Sequence, residues 1–245
     1  MKKTAIIIPS RLDAVRLPNK PLELINNKEM ILHVYDAAKK TKTSEVCVAT
    51  PDQKIIDIIK SNGGKAFLTS PNHQTGTDRV FEVFKEHLNS EPDIIVNLQG
   101  DMPNIDYKVI NSLISYMEDD KCDIGTLASA FRSDIEKKDE NNVKVVVENM
   151  LKNNQFNRAT DFFRLDTKKN KNLYHHIGIY AFTRKALLRY VSLKRSKLEI
   201  ERKLEQLRAL ENSMNIHVGY TNSSPLSVDT KNDLIEVRRM MQSND

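Results

Sequence analysis

Through the first half of the chain, short apolar runs alternate with apolar residues at helical spacing. Residues 5–8, Ala5-Ile6-Ile7-Ile8, form a continuous run stopped by Pro9, the pattern of a strand buried on both faces. Over 30–40, Ile31, Val34, Tyr35 and Ala38 share one helical face, and 45–50 reads as the next strand. Ile55, Ile58 and Ile59 mark a second helix that ends at Asn62-Gly63-Gly64, and 66–69 returns as strand. Val80, Val83, Phe84 and Leu88 carry a third helix, followed by a strand in the stretch 93–101. This cadence predicts βαβ units around a parallel sheet.

The pattern is less regular beyond. Residues 107–118 read as a helix (Ile110, Leu113, Ile114, Met117) and 123–131 as a strand. Residues 132–142 hold seven charged side chains in eleven positions and read as a solvated loop. Strands are expected at 143–147, 176–180 and 216–220, with a Lys/Asn-rich loop over 165–173. Residues 196–212 predict one charged amphipathic helix striped by Ile200, Leu204 and Leu207, and a last helix carries Leu234, Val237 and Met241.

At 245 residues and 39% hydrophobic composition, the chain has material for one domain, or one domain with a satellite lobe. The N-terminal apolar run imitates a signal peptide, but Pro9-Ser10-Arg11 ends it early. No run approaches the roughly 18 apolar residues of a spanning helix. A soluble, cytoplasmic protein with no membrane partner is expected. Cys47 and Cys122 lack metal or CxxC spacing and read as buried, reduced thiols. The net charge of +5 permits an anionic partner, yet acidic residues are interspersed and no long basic block occurs. Nucleic acid is therefore a weak alternative.

Arg11, Arg16 and Lys20 follow the first strand in a proline-bounded loop, where an open α/β sheet would bind a phosphorylated ligand. The turn His73-Gln74-Thr75-Gly76-Thr77-Asp78-Arg79 exposes backbone amides at a helix start; it suits a nucleotide, and equally an ordinary helix capped by Thr75 or Thr77. Gln99-Gly100-Asp101 sets a carboxylate at a strand's carboxyl end. Thr230 and Asp233 have capping-box spacing just after Asp229. His175 and His176, adjacent on a strand, point to opposite faces and cannot chelate one metal; Tyr180 falls on the face of His176.

Six of these segments, in order, resemble the signature of the cytidylyltransferases that activate ulosonic acids, more narrowly the 3-deoxy-manno-octulosonate (KDO) cytidylyltransferases, or CMP-KDO synthetases. They are Ile8-Pro9-Ser10-Arg11 through Leu22, the 73–79 turn, Val96-Asn97-Leu98-Gln99-Gly100-Asp101, Phe156-Asn157-Arg158-Ala159, His176-Ile177-Gly178-Ile179-Tyr180, and Leu204-Glu205-Gln206-Leu207-Arg208; the turn Ser227-Val228-Asp229-Thr230 closes the resemblance. Departures stand at Pro51, Met102, His175 and Ser227, where the family usually has aspartate, glutamate, arginine and glycine.

The resemblance implies a three-layer α/β sandwich of the nucleotide-diphosphosugar transferase type with a mostly parallel sheet. It implies one domain: about 1–130 binding nucleotide, about 131–225 forming an acceptor and dimerisation lobe, and about 226–245 returning to the core. CTP and KDO would give CMP-KDO and pyrophosphate, on a homodimer. Ser10, Arg11, Lys20, Thr75, Gly76, Thr77, Arg79 and Asp101 would bind the nucleotide, with Arg11, Lys20, Asp101 and Asp229 catalytic. Asp101 and Asp229 would hold magnesium. Arg16, Gln99, Arg158, His176, Tyr180, Glu205 and Gln206 would face the sugar acid. A cytidylyltransferase for another acid, a catalytically silent CTP-binding regulator and a basic RNA-binding protein are the rivals.

Overall fold

The computed structural model describes residues 2–14, 16–153, 155–165 and 170–242. The chain divides into two compact units, Met1–Asn111 with Pro225–Asp245, and Ser112–Ser224.

The first unit is built from βαβ repeats. Strand β1 (Thr4–Pro9) is buried along its whole length, as its unbroken apolar run requires. A 3₁₀ turn (Lys20–Leu22) and a hairpin of β2 (Leu24–Ile25) and β3 (Lys28–Glu29) lead into helix α1 (Met30–Lys39). Then follow β4 (Glu45–Thr50), α2 (Gln53–Ser61), β5 (Ala66–Leu68), α3 (Gly76–Glu86), β6 (Ile94–Leu98) and α4 (Tyr107–Met117). The strand order is β5-β4-β1-β6, all parallel, as the alternating pattern predicted. Because β1 sits between β4 and β6, the chain leaves β1 to one side and returns on the other. The loops after β1 and β6 therefore flank the crevice where such sheets bind ligands.

The C-terminal helix (Lys231–Gln242) returns to this unit. Leu234 and Val237 pack with Leu17, Ile25, Met30 and Val228 in one buried cluster. This cluster holds the basic loop from beneath and fixes the turn at 227–230.

The second unit is mainly antiparallel, a departure from the mostly parallel expectation, and the sheet is mixed. It contains β7 (Ile124–Ser129), α5 (Asp134–Lys138), β8 (Lys144–Val147), β9 (Phe156–Phe163), β10 (Leu173–Thr183), α6 (Arg184–Ser192), α7 (Lys197–Arg202), α8 (Gln206–Glu211) and β11 (Ile216–Tyr220). Its strands run β10-β7-β11-β9-β8, and β8 also pairs with β10, so the order returns on itself. Among the described strand pairs within this unit only β11–β7 is parallel, and an isolated parallel bridge links Asn153 and Tyr220.

Two expectations fail here. The charged stretch 132–142 contains α5, because Ser133 caps it by accepting the Glu136 N–H at 3.1 Å. The helix expected over 196–212 is broken in two at Lys203, which is left-handed with φ 54°. Of the loop expected over 165–173, residues 166–169 lie outside the described residues, while β10 already begins at Leu173. Among the described residues no helix is long and apolar enough to cross a membrane.

Candidate active site

In the first unit, the loops after β1 and β6, the start of α3 and the turn before the C-terminal helix enclose a cleft of about 340 Å3. Its lining includes Ser10, Arg11, Arg16, Lys20, Thr75, Gly76, Arg79, Gln99, Asp101 and Asp229. The structure thus brings together ten of the residues singled out in the sequence, drawn from four separate stretches.

At its floor Lys20 Nζ donates to Asp101 Oδ2 at 2.9 Å and to Asp229 Oδ1 at 3.0 Å. Burial alone would lower the Lys20 pKa, but the two carboxylates outweigh it and raise it, so the ammonium is firmly charged. Arg16 Nη2 lies 3.0 Å from Asp229 Oδ2. The acid-bearing turns are joined directly: Val228 N–H donates to the Asp101 carbonyl at 2.9 Å. Asp233 Oδ2 accepts from the N–H groups of Asp229 and Thr230, at 3.0 and 2.8 Å. The capping geometry read from the sequence is present and serves to fix the Asp229 backbone.

Across the cleft, Ser10 is buried and its Oγ has no hydrogen-bond partner among the described residues, while its N–H donates to Ala49 O at 3.0 Å. An orphaned hydroxyl facing a cationic cleft suits a ligand acceptor oxygen. Thr75 caps α3, its Oγ1 accepting from Asp78 N–H at 3.2 Å. Gly76 and Gly100 keep the walls thin; a Cβ on Gly100 would stand 3.0 Å from Ile31 Cδ1. Thr77 lies beneath the cleft, not in its lining: its side chain is buried and its hydroxyl accepts from Asn97 Nδ2 at 3.1 Å. Gln99 Nε2 donates to Asn97 Oδ1 at 2.9 Å, which sets its amide orientation.

Arg79 is also nearly buried, with Nη1 donating to Thr69 Oγ1 and, at 3.0 Å, to Ser70 O. Burial, then the neighbouring Arg11, lowers its pKa. Two residues not assigned a role from sequence complete this wall. His73 lines the cleft and pairs with Glu82, whose carboxylate also accepts from Ser70 N–H at 3.0 Å. Burial would raise the Glu82 pKa, but the His73 and Ser70 hydrogen bonds hold it below the usual range. Asp52, at the N-cap position of α2, gives up its cap and accepts the Leu12 N–H at 2.9 Å. It anchors the loop next to Arg11.

The remaining candidates lie in the second unit. His176 is buried, with Nε2 2.9 Å from Thr126 Oγ1, its ring edge-on to Phe162 and 5.4 Å from the Tyr180 ring. Burial, then His175, pushes its pKa down to about 3, so it is neutral. The Tyr180 pKa is raised well above its usual value by burial and then by the Glu205 charge. His176 and Tyr180 meet as expected, although a bulge between Ile177 and Tyr180 interrupts the register. His175 faces other partners, Glu136 at 3.0 Å and the Phe131 ring. Gln206 is buried, while Arg158 is half-exposed, 3.8 Å from Glu148.

A family model described as cytidylyltransferase matches residues 5–216. The 3-deoxy-manno-octulosonate cytidylyltransferases of Brucella ovis and Brucella anthropi are each 42% identical over 238 residues, covering 96% of this chain and 94% and 95% of their own lengths. Among solved structures, a CMP:2-keto-3-deoxy-manno-octonic acid synthetase complexed with CTP aligns at 36% identity with a TM-score of 0.89, covering 99% of this chain and 100% of that one. A 4-diphosphocytidyl-2C-methyl-D-erythritol synthase from Anaerococcus prevotii, 15% identical, has a TM-score of 0.64 over 98% of this chain and 99% of its own, a likeness of fold alone.

Proposed function

The chain belongs to the 3-deoxy-manno-octulosonate cytidylyltransferases, and from that premise we propose that the cleft holds CTP for attack by the anomeric hydroxyl of KDO, giving CMP-KDO and pyrophosphate. The observation that supports this most is the convergence of Lys20, Arg16, Asp101 and Asp229 in the cleft that Ser10, with its orphaned hydroxyl, also lines.

The reaction is an in-line displacement at the α-phosphorus and needs no covalent enzyme intermediate. The task is to position two anions and neutralise charge. Arg11, Arg16 and Lys20 supply fixed positive charge, and Ser10 Oγ and the N-terminal amides of α3 supply donors. Gln99, oriented by Asn97, directs its amide carbonyl or amine toward substrate hydroxyls. In the second unit, neutral His176, Tyr180, Glu205, Gln206 and Arg158 take the sugar acid. The arginine meets its carboxylate, and the others meet its hydroxyls.

Asp101 and Asp229 suit magnesium: hard carboxylate oxygens that already converge on a cation are the donors this ion takes together with substrate phosphates. Among the described residues no cluster of three or more His, Cys, Asp or Glu side chains offers a site, so substrate oxygens would complete the coordination. When bound, magnesium neutralises phosphate charge and lowers the pKa of a coordinated hydroxyl.

The same reading makes the enzyme a cytoplasmic homodimer supplying activated KDO for lipopolysaccharide. Of the eight exposed large hydrophobic residues described, five (Ile135, Met150, Leu165, Leu188, Ile200) belong to the second unit, which supports self-association there. Pyrophosphate release from CTP, dependent on KDO and lost in Asp101→Asn, tests the reaction; release that continues unchanged in the variant would contradict the site.

A further inference from the structure

The break between α7 and α8 is the least expected feature of the second unit. The sequence carries a continuous amphipathic stripe, yet Lys203 takes a left-handed conformation that a lysine adopts at some cost. Beyond it α8 has only six residues, too few to hold its own orientation. Tertiary contacts must therefore fix both the break and the direction of α8.

A buried ion pair spans that break. Arg208 of α8 donates Nε to Glu199 Oε2 at 2.9 Å and Nη2 to Glu199 Oε1 at 2.7 Å, a two-pronged contact back to α7. The two side chains are 3% and 1% exposed. Glu199 also accepts from Arg195 Nε and from Ser196 N–H, each at 3.1 Å, so the carboxylate is fully engaged. The Arg208 guanidinium lies over the Tyr190 ring, 4.6 Å from its centroid, and Tyr190 Oη donates to the Glu205 carbonyl at 2.9 Å. Arg208 and Tyr190 thus hold the Leu204–Glu205–Gln206 turn from both sides. Buried charge pairs add little net stability, because desolvation offsets their attraction; their better-attested use is to select one geometry.

We propose that the Glu199–Arg208 pair, with Tyr190, is a positioning device: it maintains the break at Lys203 so that Glu205 and Gln206 face the acceptor, while touching no substrate itself. This rests on the assignment of Glu205 and Gln206 to KDO.

The test separates the two claims. The double variant Glu199→Met with Arg208→Met removes both buried charges together, leaving Arg195, 43% exposed, to solvent, and Tyr190→Phe removes the bond to the Glu205 carbonyl. Steady-state kinetics are measured alongside calorimetric CTP affinity and near-UV circular dichroism. The double variant is expected to fold and to bind CTP as before, with KM for KDO raised about tenfold or more; Tyr190→Phe raises it about threefold. A wild-type KM for KDO in a folded double variant would overturn the proposal. So would a loss of CTP affinity as large as the loss for KDO, which marks general damage. Should the double variant not fold, Tyr190→Phe decides alone by the same criterion. Glu205→Gln and Gln206→Ala check the premise: if neither changes KM for KDO, the acceptor assignment falls, whatever the pair does.

Discussion

Asp101 and Asp229, drawn from distant parts of the sequence, present carboxylate oxygens to the same Lys20 nitrogen at 2.9 and 3.0 Å. Three hydrogen bonds from backbone amides hold this convergence, Val228 N–H to the Asp101 carbonyl and the Asp229 and Thr230 N–H groups to the Asp233 carboxylate. Asp101→Asn keeps the shape and removes the charge. Turnover is expected to fall at least about 100-fold, since Asp101 is proposed to hold the magnesium that would neutralise the triphosphate. Near-normal turnover at saturating magnesium, with an unchanged circular dichroism spectrum, would contradict the role of Asp101.

On the proposed assignment, a divalent cation would compete with Lys20 for the Asp101 and Asp229 oxygens. Lys20→Met should therefore lower turnover about 100-fold or more while tightening the binding of manganese alone, followed by electron paramagnetic resonance. Unaltered manganese affinity would show that the lysine and the metal do not compete.

Asp52 acts through the chain rather than on substrate. Asp52→Ala leaves the Leu12 N–H without its 2.9 Å acceptor and frees the Arg11 loop. KM for CTP should rise about three- to tenfold with a smaller change in kcat, and Asp52→Asn, which keeps an acceptor oxygen, should restore most of it. Equal effects of the two substitutions would point to the negative charge instead.

His176 gives the fold a pH dependence. Its folded pKa of about 3 lies below the ordinary histidine value of 6.5, so between those values the unfolded chain binds more protons. Stability is fully present above the unfolded pKa and is lost as pH falls toward the folded one. Urea unfolding at about pH 7.5 and about pH 5 should show a smaller acid loss in His176→Gln than in the parent protein. Parallel losses in the two proteins would contradict the assignment.

The parallel half of the fold was legible because β1, β4 and β6 are almost wholly buried and each helix carries a clear stripe; Glu45–Thr50 matches the expected strand end for end, as does Ile216–Tyr220 in the second unit. The antiparallel half was less so. Strand β9 has a mixed burial pattern with no single period, and the break at Lys203 is accompanied by an ion pair that sequence spacing does not reveal. In the cleft, the basic loop was legible by its position after the first strand, and the strand-end aspartate through its match to the family motif. Thr77 did not: a hydroxyl in a helix-start motif looks available until Asn97 is seen to claim it. The contribution of Asp52 was hidden for the opposite reason, because an aspartate opening a helix reads as its cap, and here the carboxylate turns to Leu12.

Pyrophosphate release from CTP and magnesium, run side by side with KDO, with N-acetylneuraminate and without acceptor, tests the central claim most directly. Release with KDO alone is the expected result. Silence with all three acceptor conditions, from folded protein that still binds CTP, would contradict the account and favour a nucleotide-binding regulator on the same fold.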